Sequence, residues 1–303
     1  MEGLLLTLSW LFDNGMNFMP HLLVALLIGL AVAVRFNSGP WMIGLTAGLG
    51  IAWGALAVSS FNHAPEADPP ANGSALETLT FNLHDRNTNY EKAVDYISEA
   101  DADVVCLQEA LGEWRTAVSS LLDLYPHALQ SAKGGTILMS KLPLKVRDVN
   151  LAAATPYSVA VTVEGLERPV DLLCLHLTRP LSPSKMALRN QEMGHLVRTV
   201  FQSKHPVILL GDFNASTRSP ALFRFMQQAG LKTSGPGFPP ANTWPGGFAL
   251  FGLRIDHVMF SRQWRLIRDE VGPALGSNHR PLTAELALPA DTPDEDAAAA
   301  QGN

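Results

Sequence analysis

Apolar runs in this chain repeatedly end on residues that can bind a cation or move a proton. Asn82 lies near the end of TLTFNLH, Glu109 closes DVVCLQE, and His176 lies near the end of DLLCLHL. Asp212 and Asn214 close VILLGDFN, Asp256 and His257 interrupt RIDHVMF, and Asn278 and His279 sit in GSNHRP. Singly, each has a plain structural explanation, since Asn and Gly-Asp-x-Asn make good turns. Together they form a chemical set. Carboxylates and Asn side chains supply hard oxygen ligands of the kind Mg²⁺ prefers. Two histidines and an Asp supply a general base and donors to a phosphoryl oxygen. Hydrolysis of a phosphate ester needs those parts: a neutralised anion, an oriented water and a stabilised leaving oxygen.

Such residues must be held by strands. Runs rich in β-branched residues predict strands over 79–83, 104–107, 136–139, 158–163, 170–177, 207–210, 255–260 and 283–286. Helical periodicity marks 90–100, 116–124, 185–201 and 220–229. Ser219–Pro220 gives the last helix a cap and a favoured first residue. The excess of strands over helices predicts an α+β sandwich, two packed sheets flanked by helices. Cys106 and Cys174 each lie inside an apolar run and read first as small buried hydrophobes; a disulfide between neighbouring strands is the alternative if the domain lies outside the cytoplasm.

The segments TFNLH, DVVCLQEA, GGTILMSKLPL, LLCLHLTRP, VILLGDFNAS, RIDHVMFS and GSNHRPLTAEL stand in an order that resembles the endonuclease/exonuclease/phosphatase superfamily, from about Leu79 to Leu286. The resemblance implies an α+β, four-layer α/β/β/α sandwich of DNase-I-like type. It implies that Glu109 is the principal metal-binding carboxylate with Asn82 beside it, and that His176 contacts the scissile phosphate. Asp212 and Asn214 would orient the water and hold the phosphate, and Asp256 would fix and charge His279. Whether Asp212 or His279 is the base stays open. The implied cofactor is Mg²⁺, with Mn²⁺ as the alternative. The family usually has Ser-Asp-His before its final strand, where this chain has Ser277–Asn278–His279. Asn278 keeps an oxygen for the metal but loses a charge, which weakens the case for a second cation. His84, Asp85, Arg86, Asn89 and Arg179 flank these motifs and read as solvated loop residues at the cleft rim.

The first 60 residues carry only Glu2, Asp13 and Arg35 as formal charges. About 20 apolar residues span a bilayer core. Residues 18–36 and 41–60 therefore predict a two-helix transmembrane hairpin over 18–60, behind an interfacial segment 1–17. Gly44/Gly48 and Gly50/Gly54 have the spacing that lets a second helix approach closely. A linker over 61–75, a catalytic domain over 76–288 and a disordered acidic tail over 289–303 complete the expected organisation. The single Arg35 in the hairpin loop puts that loop in the cytoplasm. The resemblance extends to a membrane-anchored bacterial subgroup, so the expected location is the inner membrane with the domain periplasmic or extracellular.

Residues 76–288 hold 21 basic and 20 acidic side chains. That balance argues against tight binding of duplex nucleic acid. The expected partners are a phosphate-ester substrate and the lipid bilayer, and a lipid or small phosphodiester is the favoured substrate. The alternatives are a nuclease acting on DNA or RNA, and a catalytically weak tethered binding module. Residues 244–251 (WPGGFALF) read equally as an apolar lip on the bilayer or as packing under a long loop.

Overall fold

Two parallel strand pairs carry the site, and the rest of the fold is built outward from them. In the computed structural model, residues 2–37, 39–59, 63–70, 72–147, 149, 151–235, 241–247 and 252–290 are described. β1 (Gly73–Asn82) runs parallel to β2 (Val104–Ala110), and β7 (Val170–His176) parallel to β8 (Val207–Asp212). Parallel neighbours need a crossover. Helix α4 (Tyr90–Ala100) lies in the first and α7 (Pro183–Phe201) in the second.

Antiparallel strands complete each sheet: β3 (His127–Gln130), β4 (Gly135–Ser140), β5 (Leu144–Val146), β6 (Val159–Val163), β9 (Leu231–Thr233), β10 (Asp256–Ser261), β11 (Arg265–Val271) and β12 (Leu282–Pro289). The orders are β11-β12-β1-β2-β4-β3 and β5-β6-β7-β8-β10-β9. Two mixed six-stranded sheets therefore face each other. Val104, Leu138 and Leu286 of one meet Val161, Leu172 and Leu210 of the other in a shared core. Along β1 and β2 the alternate residues Leu79, Phe81, Val105 and Leu107 point outward to α4 and to α5 (Glu113–Ser119). From β7 and β8, Leu173, Leu175 and Leu209 meet α7 and α8 (Pro220–Ala229). Burial on both faces explains why these strands read as continuous apolar runs.

The predicted strands are present, and β3, β5, β9 and β11 are additions. They sit at or next to sheet edges, are short or half-exposed, and lack the apolar run that betrays a central strand. The predicted helix over 116–124 forms instead over Glu113–Ser119, because Gly112, with φ 55°, starts it immediately after β2. A short α6 (Leu151–Ala154) was not expected. Of the linker, His63 bridges to Thr233 and Glu66 to Leu266, and β1 already begins at Gly73, so this segment runs along the domain. The acidic tail from Asp291, and Phe248, Leu250 and Phe251 of the apolar loop, lie outside the described residues.

Cys106 and Cys174 correct the first reading of them. They are buried as expected, yet they form a disulfide, and it joins β2 to β7 across the two sheets rather than linking neighbours within one. Closing a loop with a separation of 68 residues is worth about 4 kcal/mol in the chain-entropy account.

At the N-terminus, α1 (Glu2–Asn17), α2 (Met19–Arg35) and α3 (Gly39–Ser59) follow one another. α2 packs on α3, where a Cβ at Gly48 would touch Leu26 and one at Gly29 would touch Leu45. Gly44 and Gly50 face open space, so among the described residues of the predicted glycine spacings Gly48 serves the contact. No single helix among the described residues is long and apolar enough to cross a membrane. The bent pair Gly3–Asn17 and His21–Arg35, at 77°, meets the criterion only jointly.

Candidate active site

The C-terminal ends of both parallel pairs open on one side of the sandwich. Pairing of β1 with β2 sets Asn82 against Gln108, and pairing of β7 with β8 sets His176 against Asp212. β10 runs antiparallel to β8 and brings Asp256 opposite the same Asp212. A bulge in β2 between Leu107 and Ala110 re-aims Glu109 into the gap. Glu109 and His84 both hold positive φ, at 55° and 58°. That backbone costs about 1–3 kcal/mol for such residues and persists only where the surroundings enforce it. Asn214, at φ 50°, adopts the same conformation at lower cost. Gly211 must be glycine, because a Cβ there would overlap the Leu175 carbonyl across the β7–β8 pair.

Asp212 is the hub. Its Oδ1 accepts from the Asn214 amide (2.8 Å), and its Oδ2 from Asn82 Nδ2 (3.1 Å) and Asn214 Nδ2 (3.3 Å). Nε2 of His279 lies 3.8 Å from that oxygen and Nε2 of His176 3.9 Å. Nδ1 of His279 is 2.8 Å from Asp256 Oδ2. Ser277 Oγ ties the His279 segment to β1 by donating to the Asn82 carbonyl (2.7 Å) while accepting from the His279 amide (2.9 Å).

Burial alone would push the His279 imidazole down, but Asp256 and Asp212 outweigh it and raise its pKa to about 9. Asp212 moves up because it is desolvated, against the pull of His279. Glu109 behaves oppositely. Burial would raise it, yet the Asp85 amide, the His176 charge, and the Asn82 and His84 side chains together hold it below the usual carboxylate range.

The structure thus gathers Asn82, Glu109, His176, Asp212, Asn214, Asp256 and His279 at one place. Asn278 stands apart in its bonding: its Oδ1 is buried without a hydrogen-bond partner, and its main-chain carbonyl accepts from Gly246. His84 and Asp85, read as rim residues, reach Glu109: His84 Nδ1 is 3.4 Å from Oε2 and the Asp85 amide 3.1 Å. Arg179 Nη2 comes within 3.8 Å of Glu109 Oε1. His84, Asp85 and Glu109 form one group whose ligand atoms lie within 4.8 Å of one another, and Asp212, Asp256 and His279 form another. The Glu109 group with Asn82 fits Mg²⁺, because it is oxygen-rich and partly open to water. The second group is enclosed, and its histidine is already committed to Asp256.

His257 does not join the site. It is fully buried behind it, with Nε2 2.9 Å from the Ala215 carbonyl and its ring edge-on to Phe213. Desolvation, aided by Arg254, pushes its pKa down to about 3. The unfolded chain would bind a proton there near pH 6.5 while the folded chain would not. Stability should therefore fall as pH drops below that value, by about 2–3 kcal/mol between about pH 7 and 4.5 from this group alone. Urea unfolding at both pH values should show a smaller loss for His257→Gln; an identical loss in both proteins would refute the assignment.

Residues that the sequence reading missed come from the N-terminal helix. Asp13 is buried and accepts from Arg189 Nη2 (2.7 Å) and Ser219 Oγ (2.6 Å). Arg189, wholly buried in α7, donates its other arm to the Asn214 carbonyl (3.0 Å). Asn17 Oδ1 accepts from the Ser216 amide (2.8 Å) and hydroxyl (2.7 Å), and Trp10 donates to the Pro180 carbonyl (2.7 Å). The segment expected to lie in the membrane interface is thus docked by its C-terminal half beside Asn214.

Known proteins resemble this chain in sequence or in fold. The uncharacterized protein YbhP of Escherichia coli is 24% identical over 267 residues, covering 71% of this chain and 97% of its own length. A UPF0294 protein of Erwinia tasmaniensis is 25% identical and covers 72% and 83%. Among solved structures, an endonuclease/exonuclease/phosphatase from Bacteroides vulgatus superposes with a TM-score of 0.56 at 16% identity, covering 71% of this chain and 99% of that one. A beta toxin variant from Staphylococcus aureus with bound magnesium ions gives 0.51 at 15% identity, covering 70% and 99%. The family model for Endonuclease/Exonuclease/phosphatase matches residues 79–279, from the centre of β1 to the histidine beside Asp256. On that match, the chain belongs to the endonuclease/exonuclease/phosphatase family.

Proposed function

We propose that this protein is a membrane-anchored, Mg²⁺-dependent phosphoesterase that hydrolyses a lipid or small phosphodiester. The observation that carries the reading is the chain Asp256–His279···Asp212, enclosed and facing the Glu109–Asn82 pair. Held by Asp256, His279 is an imidazolium at neutral pH and cannot accept a further proton. It therefore donates to a phosphoryl oxygen, and Asp212, whose burial raises its proton affinity, takes the proton of the attacking water. Asn214 and Asn82 fix the Asp212 carboxylate, and His176 reaches the same oxygen from the other side. Glu109 and Asn82 would hold Mg²⁺, which when bound neutralises phosphate charge and favours departure of the leaving oxygen. The magnesium in the beta toxin structure supports that cofactor.

The anchor reading rests on the sequence of residues 39–59, which carries no formal charge, on the bent α1–α2 pair, which is long and apolar enough jointly, and on the exposed apolar side chains of α2, such as Leu22, Leu27 and Ile28. The Cys106–Cys174 disulfide supports a domain outside the cytoplasm, where thiols oxidise. The balanced charge of residues 76–288 supports lipid or small phosphodiester over nucleic acid.

The test is turnover by the full chain of sphingomyelin, phosphoinositide, DNA and RNA, each with Mg²⁺ and with EDTA. The expected result is lipid turnover that EDTA abolishes. DNA or RNA cleavage without lipid turnover would overturn the substrate class, and equal rates with EDTA would overturn the metal dependence.

A further inference from the structure

A pocket opens between the N-terminal helices and the catalytic loops. Phe18, at the elbow between α1 and α2, forms one wall; Leu181, Trp244 and Leu253 form the others. Its polar lining is Asn14, Asn17, Arg179 and Asn214, and the last two also touch Glu109 and Asp212, so the pocket borders that cluster. The remainder of its lining is mainly apolar, and its volume is about 140 Å³. The wall is fixed to the domain from inside: Asp13 and Asn17 lock α1 to Arg189, Ser216 and Ser219, and Arg189 grips the Asn214 carbonyl. Beyond the pocket, Leu4, Leu8, Leu11 and Phe12 leave α1 with a strongly apolar exposed surface.

We propose that this pocket is the subsite for the apolar moiety of the substrate, walled by the N-terminal helix pair itself. A phosphodiester whose phosphate lies at Asn214 and Arg179 would extend its hydrocarbon arm between Phe18 and Trp244. The α1–α2 elbow would thus act as a specificity element, selecting esters with an alkyl or acyl chain over short soluble ones. The inference rests on the phosphoesterase reading and deepens it, because it names the part of the ligand that the residues around Asp212 do not contact.

The experiment compares the methyl and dodecyl esters of p-nitrophenyl phosphate, which share one leaving group, on the full chain with Mg²⁺. The variants are Phe18→Ala and Leu181→Ala, at side chains exposed enough (44% and 64%) to be truncated without unfolding the domain. Wild type should favour the dodecyl ester by about tenfold or more in kcat/KM, the scale on which apolar pockets discriminate. Each variant should bring the two esters closer together by lowering kcat/KM for the dodecyl ester alone. Wild type without chain-length preference, or variants that slow both esters equally or neither, would overturn the subsite. No turnover of either ester by wild type would instead overturn the phosphoesterase reading, and the subsite with it.

Discussion

Asp212→Asn should lower kcat by about 10³-fold or more, the scale on which a positioned proton acceptor contributes, without lowering the unfolding midpoint. His279→Ala should have an activity loss of similar size. The two halves of the expectation have one cause. Asp212 is completely buried, so its ionised form is costly in the folded state, which is why its pKa is raised. Five groups hold it there: the Asn214 amide, the two Asn side chains and, less closely, His279 and His176. An amide of the same shape removes the buried charge, which outweighs the one accepting oxygen lost to the Asn82 and Asn214 donors, and leaves the His279–Asp256 pair as a balanced couple. Stability should then stay level or rise, in the way that active sites commonly trade stability for function. Replacing His279 does the reverse. It strips Asp256 and Asp212 of their shared cation and should lower the unfolding midpoint. Steady-state rates and urea midpoints on the two variants decide the matter. An Asp212→Asn enzyme within tenfold of wild type would remove Asp212 from the chemistry.

Much of this arrangement was legible in the sequence, for a local reason. A polar residue at the end of a buried strand has its position fixed by that strand, and Asn82, His176 and Asp212 satisfy that condition, whereas Glu109, behind Gln108, also needs the bulge in β2. His84 and Asp85 do not. They reach Glu109 only because β1 and β2 pair in parallel, a fact that lies 24 or more residues away along the chain. The two cysteines show the same limit. Each sits in a core strand, as its neighbours imply, but the bond depends on which faces of two different sheets meet. His257 follows Asp256 directly, yet the strand alternates, so one side chain enters the cleft and the next turns to the layer of α7 and α8. The edge strand β11 failed for want of a continuous apolar signal.

The widest gap between sequence and structure concerns Asp13, and it leads to the second large effect. In sequence, Asp13 is one acid in a charge-poor leader, and its partner Arg189 is one base among several on an amphipathic helix 176 residues away. In the fold both are buried, and Asp13 is the ion-pair partner of Arg189 at 2.7 Å, with the Glu192 carboxylate farther off on the same helix. Asp13→Ala should therefore destabilise the protein by about 3–5 kcal/mol, because it takes the ion-pair partner from a guanidinium in the interior. That cost is far above the value of a surface ion pair, about 0–1 kcal/mol. Replacing both members with apolar residues, Asp13→Leu with Arg189→Met, should recover most of the loss, since a buried pair often repays little more than its own desolvation. The double variant should nevertheless remain slower than wild type, as the Arg189 arm that holds the Asn214 carbonyl is gone in it too. Measuring urea unfolding and kcat on the single and double variants separates the two roles: recovery of stability without recovery of rate is the outcome that a purely structural tie would not produce. A single variant that unfolds like wild type would mean that α1 does not rest on α7 in the working protein, and the active site would then have to be understood without its N-terminal wall.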